Sequence, residues 1–207
     1  MDAAAWDARY AAAPLVWSAG PNAFIERDLA DLTPGTALDL ACGEGRNARW
    51  LASRGWRVIA LDWSPVALEK GRRLAEESEP PVEVDWVVGD VLTAPLPTSL
   101  DLVVVAYLQL PAAERRTALR RAWEALAPGG TLHVVAHDST NLREGTGGPQ
   151  DAAVLYTAAD VLDDLGTEAG LEVVHADRVE RLVPAADGHG PAGTAYDALV
   201  HLRRRRS

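Results

Sequence analysis

Cysteine is nearly absent: Cys42 is the only one in 207 residues, so no internal disulfide can form and a reducing, cytoplasmic setting is expected. Long hydrophobic runs are missing too. No stretch approaches the roughly 18 apolar residues that cross a bilayer, so no membrane contact is expected. Residues 1–20 carry Asp2, Asp7 and Arg9 without the apolar centre of a secretory leader. Positive charge is in short supply: 20 Lys and Arg stand against 30 Asp and Glu, a net charge of -10. That deficit speaks against a partner whose phosphates must be neutralised, so no nucleic acid is expected. The one basic cluster, Arg203 to Arg206, reads as a solvated tail closing a strand. Repeats and linkers are lacking as well, and 48% hydrophobic content over this length suits a single domain, 1–207. Monomer and homodimer are both compatible with this composition.

What is present is a regular alternation after residue 36. Short apolar runs at Ala37–Ala41, Arg57–Asp62, Val82–Gly89, Leu100–Tyr107, Thr131–His137, Leu171–Arg181 and Ala195–Leu202 read as strands. Helical patterns lie between them. Arg46–Arg54 stops at Gly55, Pro65–Glu77 starts from Ser64, Ala112–Leu126 stops before Pro128-Gly129-Gly130, and Thr157–Gly170 ends at a glycine. Strands separated by helices imply a parallel sheet covered on both faces. The last two strands are joined by a Gly- and Pro-rich loop without a helix, which forces them antiparallel. The predicted fold is therefore α/β and Rossmann-like: a seven-stranded, mostly parallel sheet with helices on both faces and an antiparallel C-terminal hairpin. Residues 1–36 are helical and aromatic and form a predicted lid, while residues 138–156 form a long insertion after the fifth strand.

The chemistry starts at Ala37-Leu38-Asp39-Leu40-Ala41-Cys42-Gly43-Glu44-Gly45-Arg46-Asn47-Ala48. Here an apolar run breaks into two glycines and then becomes helical, which lets backbone N–H groups approach a nucleotide-like ligand. Asp62 ends the next run at the distance expected of an acid on a ribose. This pattern is shared by nicotinamide and S-adenosylmethionine proteins. Asp39 favours the second, since an acid there suits an ammonium and a sulfonium better than a pyrophosphate. Asp90 at the end of the third strand, and the terminal hairpin, point the same way.

The set Asp39–Gly45, Asp62, Gly89-Asp90 and Pro128-Gly129-Gly130 resembles the class I S-adenosylmethionine-dependent methyltransferases. More narrowly, Trp6-Asp7-x-x-Tyr10, Trp17, Pro21-Asn22 and the Gly43-Glu44-Gly45-Arg46-Asn47 string are similar to the tellurite-resistance and thiopurine-type small-molecule branch. There is a weaker likeness to actinobacterial sugar O-methyltransferases. The resemblance implies that Asp39, Ala41, Gly43 and Gly45 line the methionine part of the cofactor. It puts Asp62 on the ribose, Trp63 beside the adenine, Asp90 and Val91 on its edge and ring, and the Ala106 carbonyl on its amino group. Tyr10 and Trp17 would fold over the cofactor. Arg46 either contacts the methionine carboxylate or caps structure.

Methyl transfer is an in-line displacement that needs positioning and exclusion of water, and a hydroxyl acceptor also needs a base. His137 and Asp138 end the fifth strand on the rim where such sheets bind ligands, so the pair is a candidate base or a divalent-metal site, Mg2+ held at Asp138. The bland alternative is that His137 only hydrogen-bonds the loop. Tyr107 and Gln109, just after the fourth strand, face the acceptor site in the layout that the resemblance implies, with Asp151 and Tyr156 on the insertion and His189 on the last loop. His133 reads as packed, and Cys42 as non-catalytic. The sequence thus predicts methylation of a small-molecule acceptor at a hydroxyl, with a sugar among the candidates. The alternatives are a thiol, selenium or tellurium species, or a nicotinamide-dependent oxidoreductase.

Overall fold

Elements form where the patterns put them. In the computed structural model, which describes residues 3–166, 170–183 and 192–206, two helices come first, α1 (Ala3–Ala11) and α2 (Ala23–Leu29). The alternating core follows: β1 (Thr36–Leu40), α3 (Arg46–Ser53), β2 (Arg57–Asp62), α4 (Pro65–Glu76), β3 (Asp85–Val88), β4 (Leu100–Ala106), α5 (Ala112–Glu124) and β5 (Leu126–His137). Last come α6 (Asn141–Glu144), α7 (Ala158–Leu165), β6 (Leu171–Val183) and β7 (Gly193–Arg204). The seven strands make one sheet in the order β3-β2-β1-β4-β5-β7-β6. The first five run parallel, and β7 runs antiparallel to both β5 and β6. Among the described residues no helix is long and apolar enough to cross a membrane.

Strand alternation sends successive side chains to opposite faces, and each face has its own core. On one side Leu38, Leu40, Val103, Val105, Leu132 and Val134 pack against Leu119 and Trp123 of α5 and Val161 and Leu165 of α7. On the other, Ala37, Val58, Ala60, Leu102, Val104 and Val135 pack against Phe24, Ile25, Leu29, Leu51 and Leu68 of α2, α3 and α4.

The differences from the sequence-based boundaries have local causes. β5 begins at Leu126 rather than Thr131, because Pro128-Gly129-Gly130 is absorbed as an irregularity opposite Leu100 and Leu102, with Gly129 at φ 92°. β3 is shorter than Val82–Gly89, since only Asp85–Val88 pairs with β2. α7 stops at Gly166, whose φ of 65° ends the helix before Gly170 is reached.

The register of the hairpin lines up three histidines across neighbouring strands, His133, His201 and His175. His133 is fully buried, with Nε2 3.0 Å from Asp28 Oδ2 on α2, and its ring meets His201 edge-on at 5.7 Å. Burial pushes both imidazoles down, His201 to about 4. The folded values lie below the unfolded one near ~6.5, so this contribution to stability is present above ~6.5 and is lost as pH falls toward ~4. Melting temperatures measured from pH 7.5 down to 4.5 should fall, and less steeply in His201→Leu. An identical slope in the variant would remove His201 as a cause.

Candidate active site

The turn after β1 is built on left-handed backbone. Ala41, Gly43 and Gly45 have φ of 62°, 57° and 67°, which suits glycine and is costly for the alanine. Two carboxylates hold this turn. Asp62 at the end of β2 accepts from the Gly43 amide on Oδ2 (2.8 Å) and from the Ser64 amide on Oδ1 (2.9 Å). Asp39 on β1 is fully buried and accepts from the Ala48 amide of α3 on Oδ2 (3.0 Å), while its Oδ1 has no partner. Burial pushes the Asp39 carboxyl up to about 7, against the pull of that amide and of Arg46. Burial also raises Asp62, partly offset by its two amides.

The two glycines serve different ends. A Cβ on Gly43 would lie 2.7 Å from the Tyr10 hydroxyl, so the N-terminal segment sits directly on this residue. A Cβ on Gly45 would lie 2.4 Å from the Trp86 ring, and one on Gly71 2.6 Å from it. Gly45 is therefore needed for close packing of Trp86 between the turn and α4, a requirement distinct from ligand approach.

The N-terminal segment is clamped over the turn. The carboxylate of Glu44 accepts from the Val16 amide (3.0 Å) and the Trp17 amide (3.3 Å) and pairs with Lys70 at 3.2 Å. Lys70 also donates to the carbonyls of Tyr10 and Ala13, and Ser64 donates to Asp7. Trp6 stacks on Tyr10 at 5.5 Å, and Trp17 Nε1 donates to the Tyr10 hydroxyl at 3.4 Å. Burial raises the Tyr10 phenol well above its ordinary value, so it stays protonated. Arg46 is half-buried nearby. It donates to the Ser18 hydroxyl at 2.9 Å and has no carboxylate within ion-pair distance among the described residues.

A second cluster lies over β4, β5 and β7. Tyr107, at φ 55°, donates from its hydroxyl to Asp197 Oδ2 (2.9 Å) and accepts from Asn22 Nδ2 (3.3 Å). Arg181 Nε donates to the same Asp197 oxygen at 2.7 Å. The His137 ring lies 4.8 Å from that of Tyr107, and its Nδ1 is 3.4 Å from Asp197 Oδ1. Burial would raise Asp197, but His137 and Arg181 hold it below the usual carboxylate range. The insertion closes over this cluster: a Cβ on Gly148 would meet the His137 ring at 2.9 Å.

Most sequence candidates fall around these two clusters. Tyr10, Trp17, Asp39, Ala41, Gly43, Gly45, Arg46 and Asp62 surround the turn. Trp63 and Asp90 are half-buried near the ends of β2 and β3, Val91 is buried, and Ala106 ends β4. Asp138 is a correction. It does not accompany His137, because neighbours on a strand point to opposite faces, and its Oδ1 accepts from the Thr140 amide and hydroxyl, both at 2.8 Å. The acid facing His137 is Asp197. A metal at Asp138 does not fit either, since no group of three or more His, Cys, Asp and Glu among the described residues could hold one. Gln109 does not point freely into the pocket: it bridges the His137 amide and the Val154 carbonyl. Tyr156 is a core residue bonded to the Leu108 carbonyl, and Asp151 caps a short turn at Ala153. His189 lies outside the described residues. Asp197 and Arg181 were missed, though an acid inside the apolar run Ala195–Leu202 was a signal; Asn22 was quoted for the resemblance but given no place in the site.

Residues 37–130 match a family described as a methyltransferase domain. That match takes in the turn after β1, Asp62 and Asp90. Its similarity to an uncharacterized methyltransferase of Mycobacterium tuberculosis is 36% identity over 110 residues, 52% of this chain and 53% of that protein. The chain thus matches about half the length of such curated relatives. Among solved structures, the chain overlays a protein described under conversion of a disulfide bond into a thioacetal group during echinomycin biosynthesis. The TM-score is 0.79 at 20% identity, covering 98% of this chain and 91% of the other. It also overlays the N-methyltransferase NodS of Bradyrhizobium japonicum in complex with S-adenosyl-L-homocysteine, with TM-score 0.64 and 21% identity over 87% and 83% of the chains. At these identities the structural likenesses establish the fold.

Replacing Glu44 by Ala removes the acceptor of the Val16 and Trp17 amides and leaves Lys70 without its ion pair. A loss of roughly 1–2 kcal/mol of local stability corresponds to about tenfold faster amide exchange. Exchange at Val16 and Trp17 should accelerate by that factor while strand amides stay protected; unchanged exchange would show that Glu44 does not clamp the N-terminal segment.

Proposed function

We propose that this chain transfers the methyl group of S-adenosylmethionine to a hydroxyl of a small-molecule acceptor, with His137 as the general base. The observation that carries the reading is the His137–Asp197 pair beside Tyr107, at the carboxyl ends of the strands. The cofactor supplies, when bound, a methyl carbon made electrophilic by a sulfonium.

The chain's own residues fit that group. Asp39 offers a buried carboxylate oxygen without a partner, suited to the cofactor's ammonium. Arg46 offers a half-buried cation with no ionic partner among the described residues, suited to its carboxylate. Gly43 and the left-handed turn let the backbone approach closely, Asp62 and Trp63 take the ribose and adenine side, and Asp90, Val91 and Ala106 the adenine edge. Tyr10 and Trp17 close over the top and exclude water. Among the described residues no donor set fits Mg2+, so no step is routed through a metal. With Nδ1 turned to Asp197, His137 has Nε2 left to accept the hydroxyl proton as the oxygen attacks. The net charge of -10 favours a small acceptor over a nucleic acid.

Two experiments test this. Calorimetry with S-adenosylhomocysteine should show affinity rising between pH 6 and 8, because the ligand's ammonium favours ionised Asp39, raised by burial to about 7. Asp39→Asn should weaken binding by ~10-fold or more and abolish that rise; tight NADH binding without S-adenosylhomocysteine binding would reject the cofactor. An acceptor screen scored by S-adenosylhomocysteine release should find hydroxyl compounds. On these, His137→Gln should lose ~100-fold or more in kcat with cofactor affinity intact. A thiol acceptor turned over equally by both proteins would instead favour methylation at sulfur, where no base is required.

A further inference from the structure

Asp197 sits where three donors converge. It is fully buried on β7, in the middle of a strand whose neighbours Ala195, Ala198 and Leu199 are core residues. Its Oδ2 is taken by two groups, the Tyr107 hydroxyl at 2.9 Å and Arg181 Nε at 2.7 Å. Oδ1 has one group within reach, His137 Nδ1 at 3.4 Å; the two atoms meet at ion-pair distance, both are buried, and neither makes a hydrogen bond. An ionised carboxylate only accepts, so the nitrogen facing it must carry hydrogen. We infer that Asp197 is the positioning residue of the site: it fixes His137 with its proton on Nδ1 and leaves the Nε2 lone pair for the acceptor.

Arg181 has a defined part in this arrangement. Its guanidinium keeps Oδ2 occupied and the carboxylate ionised, and it lies 5.7 Å over the Tyr107 ring, bracing the phenol that shares that oxygen. Asn22, the cap of α2, donates to the same phenol, so the N-terminal segment is connected to His137 through Tyr107 and Asp197. An unbonded imidazole in water would favour the other tautomer or mix the two. Holding it by a buried anion removes that freedom, which is how a second residue makes a histidine an efficient base without touching substrate.

The role as an aid to the base rests on the hydroxyl-acceptor reading; the tautomer does not. Asp197→Asn is nearly isosteric and separates the two. Arg181 and Tyr107 both donate, so they hold the amide oxygen and turn the amide NH2 toward His137. The imidazole must then accept at Nδ1 and carry its proton on Nε2. Long-range 1H–15N NMR of the free, neutral protein should find His137 protonated on Nδ1 in the native chain and on Nε2 in Asp197→Asn. On a hydroxyl acceptor, the variant should lose ~100-fold or more in kcat, with S-adenosylhomocysteine affinity within ~3-fold of the native value. Should Asp197→Asn fail to fold, the native spectrum alone decides. A proton on Nε2 in the native protein, or the same tautomer in both proteins, overturns the inference. An Nδ1 proton in a protein that methylates only thiols retains the positioning and removes the base.

Discussion

The turn between β1 and α3 has three residues in left-handed backbone, one of them an alanine, and such a loop does not hold its shape unaided. Asp62 supplies the hold. Its two oxygens bind the Gly43 amide in that turn and the Ser64 amide at the start of the next helix. One buried carboxylate therefore ties together the C-terminal ends of two parallel strands. The cost is desolvation, visible in the raised carboxyl, and the amides offset part of it. Everything proposed for the cofactor depends on this geometry, since Asp39, Gly43 and Arg46 are arranged by the same few residues.

The rest of the pocket is assembled from distant parts of the chain. Asn22 of the N-terminal segment accepts the first amides of α2 on its own side chain, receives the Asn47 carboxamide oxygen at its backbone N–H, and reaches Tyr107 with its amide. Tyr107 passes that connection to Asp197, and Asp197 to His137 and Arg181. Four strands and a capped helix thus meet within one hydrogen-bonded cluster. Such a network is stiff when every member is satisfied, which suits a site whose main tasks are orientation and exclusion of water.

Legibility in the sequence followed locality. Asp39 through Gly45, the helix starts at Ser64 and Thr157, and the antiparallel hairpin are set by residues close together in the chain, and the structure has them. The sheet and its closing hairpin could be read for that reason. Helix and strand ends shifted where a second signal stood nearby: Gly166 ahead of Gly170, and Pro128-Gly129-Gly130 taken into a strand. The acceptor side was harder, because it depends on pairing across the sheet. Asp138 beside His137 resembles a catalytic pair in one dimension, yet strand alternation parts them and Thr140 engages the acid. Asp197 is 60 positions further on, and only the register of β5 with β7, which sets His137 opposite Asp197, unites them.

Lys70 is the sole side-chain amine of this chain. With the N-terminal segment in place it is sheltered, bound to Glu44 and two backbone carbonyls, and only 13% exposed. Amine-directed labels, crosslinkers and resins thus meet no competing lysine elsewhere on the surface. Their reaction at this one nitrogen becomes a gauge of how often the segment lifts, and immobilisation through it would trap the molecule in the raised form.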